Sequence, residues 1–225
     1  MQDMEERISF FLDSLESGTD PFLERIYEEA VDDEVPVIRR GMISFLQVMV
    51  KMAKPARILE VGTAVGFSAL VMAQAMPETC TITTIERDPD RTAKARENIG
   101  SSAYSDRIRV LEGDAAVLLG GLEGSYDLIF MDAAKGQYLN FLPDVLRLMS
   151  PGGVLITDNV LREGDVLESH YAVARRDRTI HKRMRAYLLE LKRNEQLDTT
   201  ILAFADGVAL SRKKDERITL TDEET

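Results

Sequence analysis

The feature that most constrains the fold is a change of rhythm at Pro55, after which short apolar runs alternate with longer amphipathic stretches. Short runs rich in apolar side chains favour strands, and the stretches between them carry apolar residues at helical spacing. Strands separated by helices pair in parallel, because each crossover returns the chain in the same direction. The sequence therefore predicts an α/β fold, a mostly parallel sheet with helices on both faces, with strands at 57–61, 81–86, 107–113, 126–132 and 153–159.

The two ends of the chain depart from this alternation. Residues 1–54 carry only helical patterns. Near the other end, TTILAFADGVALSRKK predicts two strands that turn at Asp206-Gly207, which is an antiparallel hairpin at the edge of the sheet. We therefore expect one domain over residues 1–213, with an N-terminal helical segment and a seven-stranded sheet, followed by a flexible tail at 214–225.

Charge is distributed unevenly along a chain whose net charge is −11. Residues 1–35 contain twelve acidic residues and two arginines, whereas residues 175–193 contain eight basic residues and two acids. We expect this basic run to lie in a helix over roughly 170–193. Two interpretations of it stay open: a solvated helix face, or a surface that meets nucleic-acid phosphates.

Composition also bears on the compartment of the protein. A single cysteine, Cys80, cannot form an internal disulfide, which favours a reducing, cytoplasmic location. The sequence contains no uninterrupted apolar stretch of about 18 residues, so we expect no membrane span.

A turn bracketed by glycines follows the first predicted strand, in ILEVGTAVGFS. Gly62 lets the backbone approach a ligand closely, and ligands of open parallel sheets bind at the carboxyl ends of the strands. The pattern is neither the dinucleotide fingerprint nor a phosphate-binding loop, because its glycines are four positions apart and no Gly-Lys-Ser/Thr follows. Glu60, just before the turn, would repel a pyrophosphate and attract a cation. A plain structural turn is the alternative.

Acidic residues follow the other predicted strands. Glu86 ends the second strand, 24 residues after the first glycine of the turn, where an acid holds ribose hydroxyls in nucleoside-binding folds. Asp114 follows the third strand, Asp132 the fourth and Asp158-Asn159 the fifth. Each alone is explained by a helix cap or a turn. Together, oxygen donors from adjacent strands suit Mg²⁺.

Read in this order, EVGTAVGFS, IERD, EGDA, MDAAKGQY and ITDNVL resemble the motifs of class I O-methyltransferases that use S-adenosylmethionine (SAM). The resemblance is to the cation-dependent branch, which includes catechol and caffeoyl-CoA O-methyltransferases, and it covers about residues 30–213. Within that branch the motifs are most similar to those of the bacterial enzymes that methylate 5-hydroxyuridine in tRNA. The resemblance implies a Rossmann-like SAM-dependent methyltransferase fold, SAM as cofactor, and Mg²⁺ or Mn²⁺ as cation.

The resemblance also implies roles for individual residues. The SAM site that it implies consists of Ile38, Glu60, Gly62, Ser68, Glu86, Asp114, Ala115 and Asp132. The metal ligands that it implies are Asp132, Asp158 and Asn159. Lys135 matches the general base of the family, and Asp132 and Lys135 are the implied catalytic residues. Because a lysine is ordinarily protonated at neutral pH, Lys135 would act either as a base beside the cation or by electrostatic steering.

Two acceptors fit this chemistry. One is 5-hydroxyuridine in a tRNA anticodon, whose 5-hydroxyl and 4-carbonyl oxygens can chelate one cation. Basic side chains would then meet RNA phosphates, and the candidates are Arg39, Arg40, Arg175, Arg176, Arg178, Lys182 and Arg183. The other is a small hydroxylated aromatic such as a catechol. Since the chain has no tryptophan, an aromatic gate to the pocket cannot be a tryptophan, and Tyr138 and Tyr171 are the candidates for that role.

Two further expectations concern the protein as a whole. A cofactor-binding regulator without catalysis is disfavoured, because the implied metal ligands and the implied base are all present. The family resemblance and the acidic, helical N-terminus predict a homodimer.

Overall fold

The computed structural model describes residues 20–169 and 173–215, together with the isolated positions 7, 11, 14, 15 and 18. The helix expected before residue 20 is therefore mostly outside the described residues, as are Tyr171 and most of the predicted tail.

In the described part of the chain, seven strands form one sheet in the order β3-β2-β1-β4-β5-β7-β6. The neighbours among β1 to β5 pair in parallel, whereas β7 runs antiparallel to both β5 and β6. This is the predicted mostly parallel sheet with an antiparallel terminal hairpin. The strands are β1 Arg57–Val61, β2 Thr81–Glu86, β3 Ile108–Glu112, β4 Tyr126–Met131, β5 Met149–Thr157, β6 Leu197–Leu202 and β7 Val208–Lys213.

Seven α-helices accompany these strands within the described residues. Three of them begin at an aspartate whose side chain accepts a backbone N–H of the first turn, and in two of these a proline follows directly; both features favour helix initiation. The helices are α1 Pro21–Asp32, α2 Arg40–Ala53, α3 Phe67–Ala75, α4 Pro89–Gly100, α5 Ala115–Gly121, α6 Tyr138–Leu148 and α7 Arg178–Arg193.

The central strand β4 shows how the sheet separates two apolar cores. Leu128 and Phe130 belong to a core shared with α1 to α4. Ile129 and Met131 belong to the opposite core, shared with α5 to α7. Side chains of a strand point alternately to its two faces, so an unbroken apolar run is what a strand covered on both faces requires. The apolar runs stop at the carboxyl ends of the strands, and polar residues that could form a ligand site follow there.

The sequence predictions differ from the structure mainly at one helix. The strands predicted at 57–61 and 81–86 are confirmed, and β5 begins at Met149, four residues before its predicted start. Helix α7 begins at Arg178, so the prediction of a helix from about residue 170 is wrong. Buried side chains recur at helical spacing only from His181 onward, and without such burial a segment this polar gains little from being helical. Among the described residues, no helix is long and apolar enough to cross a bilayer.

Candidate active site

Hydrogen bonds beyond the strand ends bring the predicted residues to one edge of the sheet. The Gly62 N–H donates to Ile85 O at 2.9 Å, and the Asp132 N–H donates to Val61 O at 3.0 Å. The Asp158 N–H in turn donates to Met131 O at 3.0 Å. The parallel ladders thus continue by one residue, and they place the loops after β1, β4 and β5 side by side.

Gly62 allows the loops after β1 and β4 to touch. Its φ is +94°, and a Cβ at this position would lie 2.1 Å from the backbone oxygen of Asp132. No side chain fits there, because the obstructing atom belongs to the backbone. The glycine predicted to let a ligand approach therefore has a second purpose, which is to admit the neighbouring loop.

Glu86 is held in one orientation at the end of β2. Its Oε2 accepts the Ala64 N–H at 2.9 Å, and its Oε1 accepts the N–H groups of Arg87 at 2.9 Å and Asp88 at 3.0 Å. Ala64 takes a φ of +47°, which is uncommon for a residue other than glycine. The glycine turn and the acid are thereby tied together, and the carboxylate keeps lone pairs for hydroxyl groups of a ligand.

Glu60 lies behind this loop and does not line the cavity in front of it. Its carboxylate is fully buried and accepts the Ser68 hydroxyl at 2.6 Å and the Thr84 hydroxyl at 2.5 Å. Burial raises the pKa of Glu60, and the hydrogen bonds from Ser68 and Thr84 oppose that shift. The expectation of direct ligand contact is corrected for this residue: Glu60 acts by fixing Ser68, which does line the cavity.

A cavity of about 500 Å³ opens in front of these loops. Its lining brings together residues that are far apart in the sequence, from the segment before α2 to the loop after β5. Of the residues predicted for cofactor, metal or catalysis, those in its lining are Ile38, Gly62, Ser68, Glu86, Asp114, Ala115, Asp132, Lys135 and Asn159. One cavity therefore joins the predicted cofactor side to the predicted acceptor side.

Asp132 lines the acceptor end of the cavity, and Asp158, which is buried and lies outside the cavity lining, is close enough for its charge to act on Asp132. Burial and the neighbouring charge of Asp158 raise the pKa of Asp132 to about 7, against the opposing charge of Lys135. Burial also raises the pKa of Asp158 to about 6, while a hydrogen bond from the Asn159 N–H at 2.7 Å and the charges of Lys135 and Arg39 oppose the shift. Two buried like charges favour the binding of protons or of a cation between them.

The donor set suits a hard divalent cation. Within the described residues, no group of three or more His, Cys, Asp or Glu side chains could hold a metal ion. The third donor here is an amide: Asn159 lines the cavity beside the two acids and has a φ of +55°. Asn tolerates this conformation better than most residues. Two carboxylates and an amide oxygen fit Mg²⁺, which keeps waters and open positions for substrate oxygens.

The structure also shows two site residues that sequence reasoning missed or misassigned. Tyr138 was a candidate aromatic gate for a small acceptor, but it is fully buried. Its hydroxyl accepts the Ala133 N–H at 3.2 Å and donates to Asp158 O at 3.4 Å, so it links the loops after β4 and β5. Asp206 lies 3.7 Å from Lys135 Nζ. The only sequence signal for Asp206 was an Asp-Gly pair, which is explained by a hairpin turn.

The candidate RNA-contact residues fall into separate groups. Arg39 lies near the acceptor end, since its charge acts on Asp158. Arg40 is paired with Glu24, and its guanidinium lies 4.4 Å from the ring centroid of Tyr27, so it serves to fasten α2 to α1.

The remaining candidates lie at the amino-terminal end of α7. Arg175 and Arg176 precede the helix and, like Lys182, are exposed. Arg178 Nε donates to Val173 O at 3.2 Å, and Arg183 Nη1 donates to Gly136 O at 3.0 Å. Two of the five therefore hold backbone carbonyls, and one of these carbonyls belongs to the residue after Lys135.

Comparison with known proteins places this geometry in a family. The sequence model of a family described as O-methyltransferase matches residues 15–214. A catechol O-methyltransferase of Niastella koreensis is 32% identical over 176 residues, 74% of this chain and 77% of that protein. A catechol O-methyltransferase of Mycobacterium tuberculosis is 31% identical over 163 residues, 71% of this chain and 74% of that protein. The SAH-bound Podospora anserina methyltransferase PaMTH1 is 27% identical, with a TM-score of 0.84 over 95% of this chain and 96% of that one. The predicted Rossmann-like methyltransferase fold is thereby confirmed.

Proposed function

The chain belongs to the O-methyltransferase family, and from that premise we propose that it transfers the methyl group of SAM to an oxygen of an acceptor held at a divalent-cation site. The observation that carries the proposal is the group of oxygen donors at one end of the cavity, where Asp132 and Asn159 line the wall and the buried carboxylate of Asp158 lies behind them. The other end offers Glu86, with a fixed orientation, to ribose hydroxyls. The cavity thus joins a cofactor end, which contains Glu86, to an acceptor end, which contains Asp132 and Lys135.

The residues of the proposed site have separate roles in this reaction. Glu86, Gly62 and Ser68 would bind and orient SAM at the cofactor end of the cavity. Asp132, Asp158 and Asn159 would hold the cation, and the chemistry that such a cation would supply is polarisation of the acceptor oxygen, which lowers the pKa of that oxygen. Lys135 lies at the same end, where it either steers the acceptor oxygen as an ammonium or, as a neutral amine, takes up the proton of that oxygen. Alignment of donor and acceptor lowers the barrier without further chemistry.

Removal of divalent cations is expected to lower methyl transfer by at least about 100-fold, and added Mg²⁺ should restore it. Since the pKa of Asp132 is about 7 and that of Asp158 about 6, protons compete with the cation, and its affinity should fall as the pH drops below about 7. Isothermal titration with Mg²⁺ at about pH 6 and about pH 8 measures this competition. SAM binding in chelator serves as the control for intact protein. Full transfer in chelator would contradict cation dependence.

For the acceptor we propose 5-hydroxyuridine in a tRNA anticodon. The support is the exposed basic surface formed by Arg175, Arg176 and Lys182, which stands out in a chain of net charge −11. This surface is close to the chemistry, because Arg183 of the same helix bonds to Gly136 O, next to Lys135. Phosphates gathered there by charge would bring an anticodon loop to the cavity mouth.

A catechol-like small molecule is the alternative acceptor. The two curated relatives described above carry the name catechol O-methyltransferase. A cation held by the same two carboxylates and amide would chelate the adjacent hydroxyls of a small aromatic equally well. Turnover of simple catechols far above that of tRNA carrying 5-hydroxyuridine would favour this alternative.

Charge reversal of Arg175, Arg176 and Lys182 to glutamate is expected to lower kcat/KM on tRNA by about 100-fold and to flatten its salt dependence, because phosphate contacts are lost. Activity on a catechol or on free 5-hydroxyuridine should be unchanged in the same variant. Arg178 and Arg183 are left intact, since they hold backbone carbonyls. Reversal of the exposed residues Lys51 and Arg109 is the matched control. Full tRNA activity in the triple variant would show that this basic surface does not contribute to tRNA binding.

The assembly and the compartment of the protein are also proposals. Helices α1 and α2 expose the apolar side chains Val31, Val48 and Met52, which a second copy of the chain could cover to form a homodimer. Light scattering of the purified protein tests this. A cytoplasmic location follows from the single, buried cysteine and the proposed tRNA substrate.

A further inference from the structure

The loop between β6 and β7 folds over the end of β5. The Val160 N–H donates to Gly207 O at 2.9 Å, and the Leu161 N–H donates to Asp206 O at 3.0 Å. These bonds join the hairpin loop to the residues that directly follow Asp158 and Asn159. The backbone of Asp206 is therefore fixed relative to the acceptor end of the cavity.

The conformation of this loop is demanding. Ala205 has a φ of +51° and Gly207 a φ of +82°. A Cβ on Gly207 would lie 2.3 Å from Leu161 Cγ, so the loop can lie this close only with glycine there. Strained backbone of this kind persists where the surrounding structure holds it, and it is concentrated at functional sites. Here the conformation presents one buried carboxylate, that of Asp206.

That carboxylate faces the lysine of the site. Asp206 Oδ2 lies 3.7 Å from Lys135 Nζ, and the Asp206 side chain is 7% exposed, against 32% for Lys135. Asp206 is not part of the cavity lining, whereas Lys135 is. A buried ion pair is weak evidence for a stabilising role, because desolvation offsets the attraction. A role in placing the ammonium accounts better for a carboxylate at this position.

We propose that Asp206 is a positioning residue, which holds the Lys135 ammonium at the acceptor end of the cavity. A lysine has four rotatable side-chain bonds and loses much rotational freedom when it is held in one place. Two contacts restrain Lys135: Asp206 holds its charged end, and the Arg183 bond to Gly136 O holds the turn that carries it. The role of Lys135 in transfer belongs to the proposed function, and on that role the inference rests.

Asp206→Asn tests the proposal, because it removes the charge and keeps the shape. We expect kcat to fall by about 10- to 100-fold, with SAM affinity and the KM of the acceptor nearly unchanged. In a Lys135→Met background the same substitution should have no further effect, since the group that it places is gone. The matched control is Asp198→Asn in the same hairpin, where Asp198 also lies 3.7 Å from a lysine, Lys214, but away from the cavity. This control should keep full activity.

A second measurement needs no acceptor. Purified protein is treated with an amine-acylating reagent, and the labelling rate of Lys135 is followed by peptide mass spectrometry. Loss of Asp206 should raise this rate severalfold, because an ammonium held by a carboxylate reacts slowly. If Asp206→Asn unfolds, as judged by its melting and SAM binding, Asp206→Ser is used in the same two assays.

The outcomes separate this inference from the proposed function. Unchanged Lys135 labelling overturns the positioning role, whether or not the wild-type protein transfers a methyl group. Equal losses of kcat in the wild-type and Lys135→Met backgrounds overturn it as well, because they indicate a purely structural carboxylate. Absence of transfer to either acceptor, with labelling raised as expected, contradicts the proposed function and leaves the Asp206–Lys135 contact supported.

Discussion

Replacing Asp132 with asparagine is expected to abolish methyl transfer and, in the same variant, to stabilise the cation-free protein at alkaline pH. Transfer should fall by at least about 1,000-fold, because a charged ligand of the cation site is lost beside the reacting oxygen. Stability should rise because Asp132, when charged, is buried next to the charge of Asp158. The same burial that prepares the site for a cation therefore destabilises the fold without one.

The pH dependence of that stability has a definite sign. The pKa of Asp132 is raised from its ordinary 3.8 to about 7 in the folded protein. Between these values the folded state binds the proton and the unfolded state does not, so the stability of the wild-type protein falls as the pH rises through this window. The Asp132→Asn variant lacks the part of this fall that Asp132 causes and keeps the part that comes from Asp158, whose pKa is raised to about 6. Its gain should be on the order of 1–3 kcal/mol at about pH 8 and close to zero near pH 4.

Denaturant unfolding in chelator at both pH values measures the gain, and methyl-transfer assays measure the loss. Asp106→Asn is the matched control, because Asp106 is exposed on the loop before β3; neither property should change. An Asp132→Asn variant that is less stable than wild type at alkaline pH would show that the carboxylate is compensated within the fold itself. Retained transfer would remove Asp132 from the site.

Gly62→Ala is expected to destabilise the protein by at least about 3 kcal/mol and to weaken SAM binding by at least about 100-fold. The added Cβ would lie 2.1 Å from Asp132 O, and the φ of +94° is itself unfavourable for alanine. The obstructing atom is backbone, so relief requires the loops after β1 and β4 to separate. That movement would displace Asp132 and Ser68 together, and both ends of the cavity would change.

The same methyl group at Gly100 serves as the control, because a Cβ there meets nothing within 4 Å. Gly100→Ala should leave stability and binding within about 1 kcal/mol of wild type. Thermal unfolding and isothermal titration with SAM give both quantities. Near-normal SAM binding by Gly62→Ala would mean that the loops separate without affecting the cavity. The close contact between Gly62 and the Asp132 backbone would then not be needed for SAM binding.

The positions of most elements could be read from local pattern. The runs at 57–61 and 81–86 became β1 and β2 with their predicted bounds. The start of the basic helix was predicted too early. Its basic residues begin ahead of the helix, whereas the buried side chains that stabilise the helix begin at His181. Charge marks a surface, and burial determines where a helix begins.

The sequence by itself determined the fold class and the order in which oxygen-bearing side chains follow the strands. Those properties depend on periodicity and on residue type, which are local. Only the tertiary structure decided that Glu60 fixes Ser68 from behind the loop, that Tyr138 ties two loops together, and that Asp206 reaches Lys135. Each of these contacts joins loops that are brought together by sheet register and by close backbone packing. The partners in such contacts are set by the whole sheet, and no pattern along the chain encodes them.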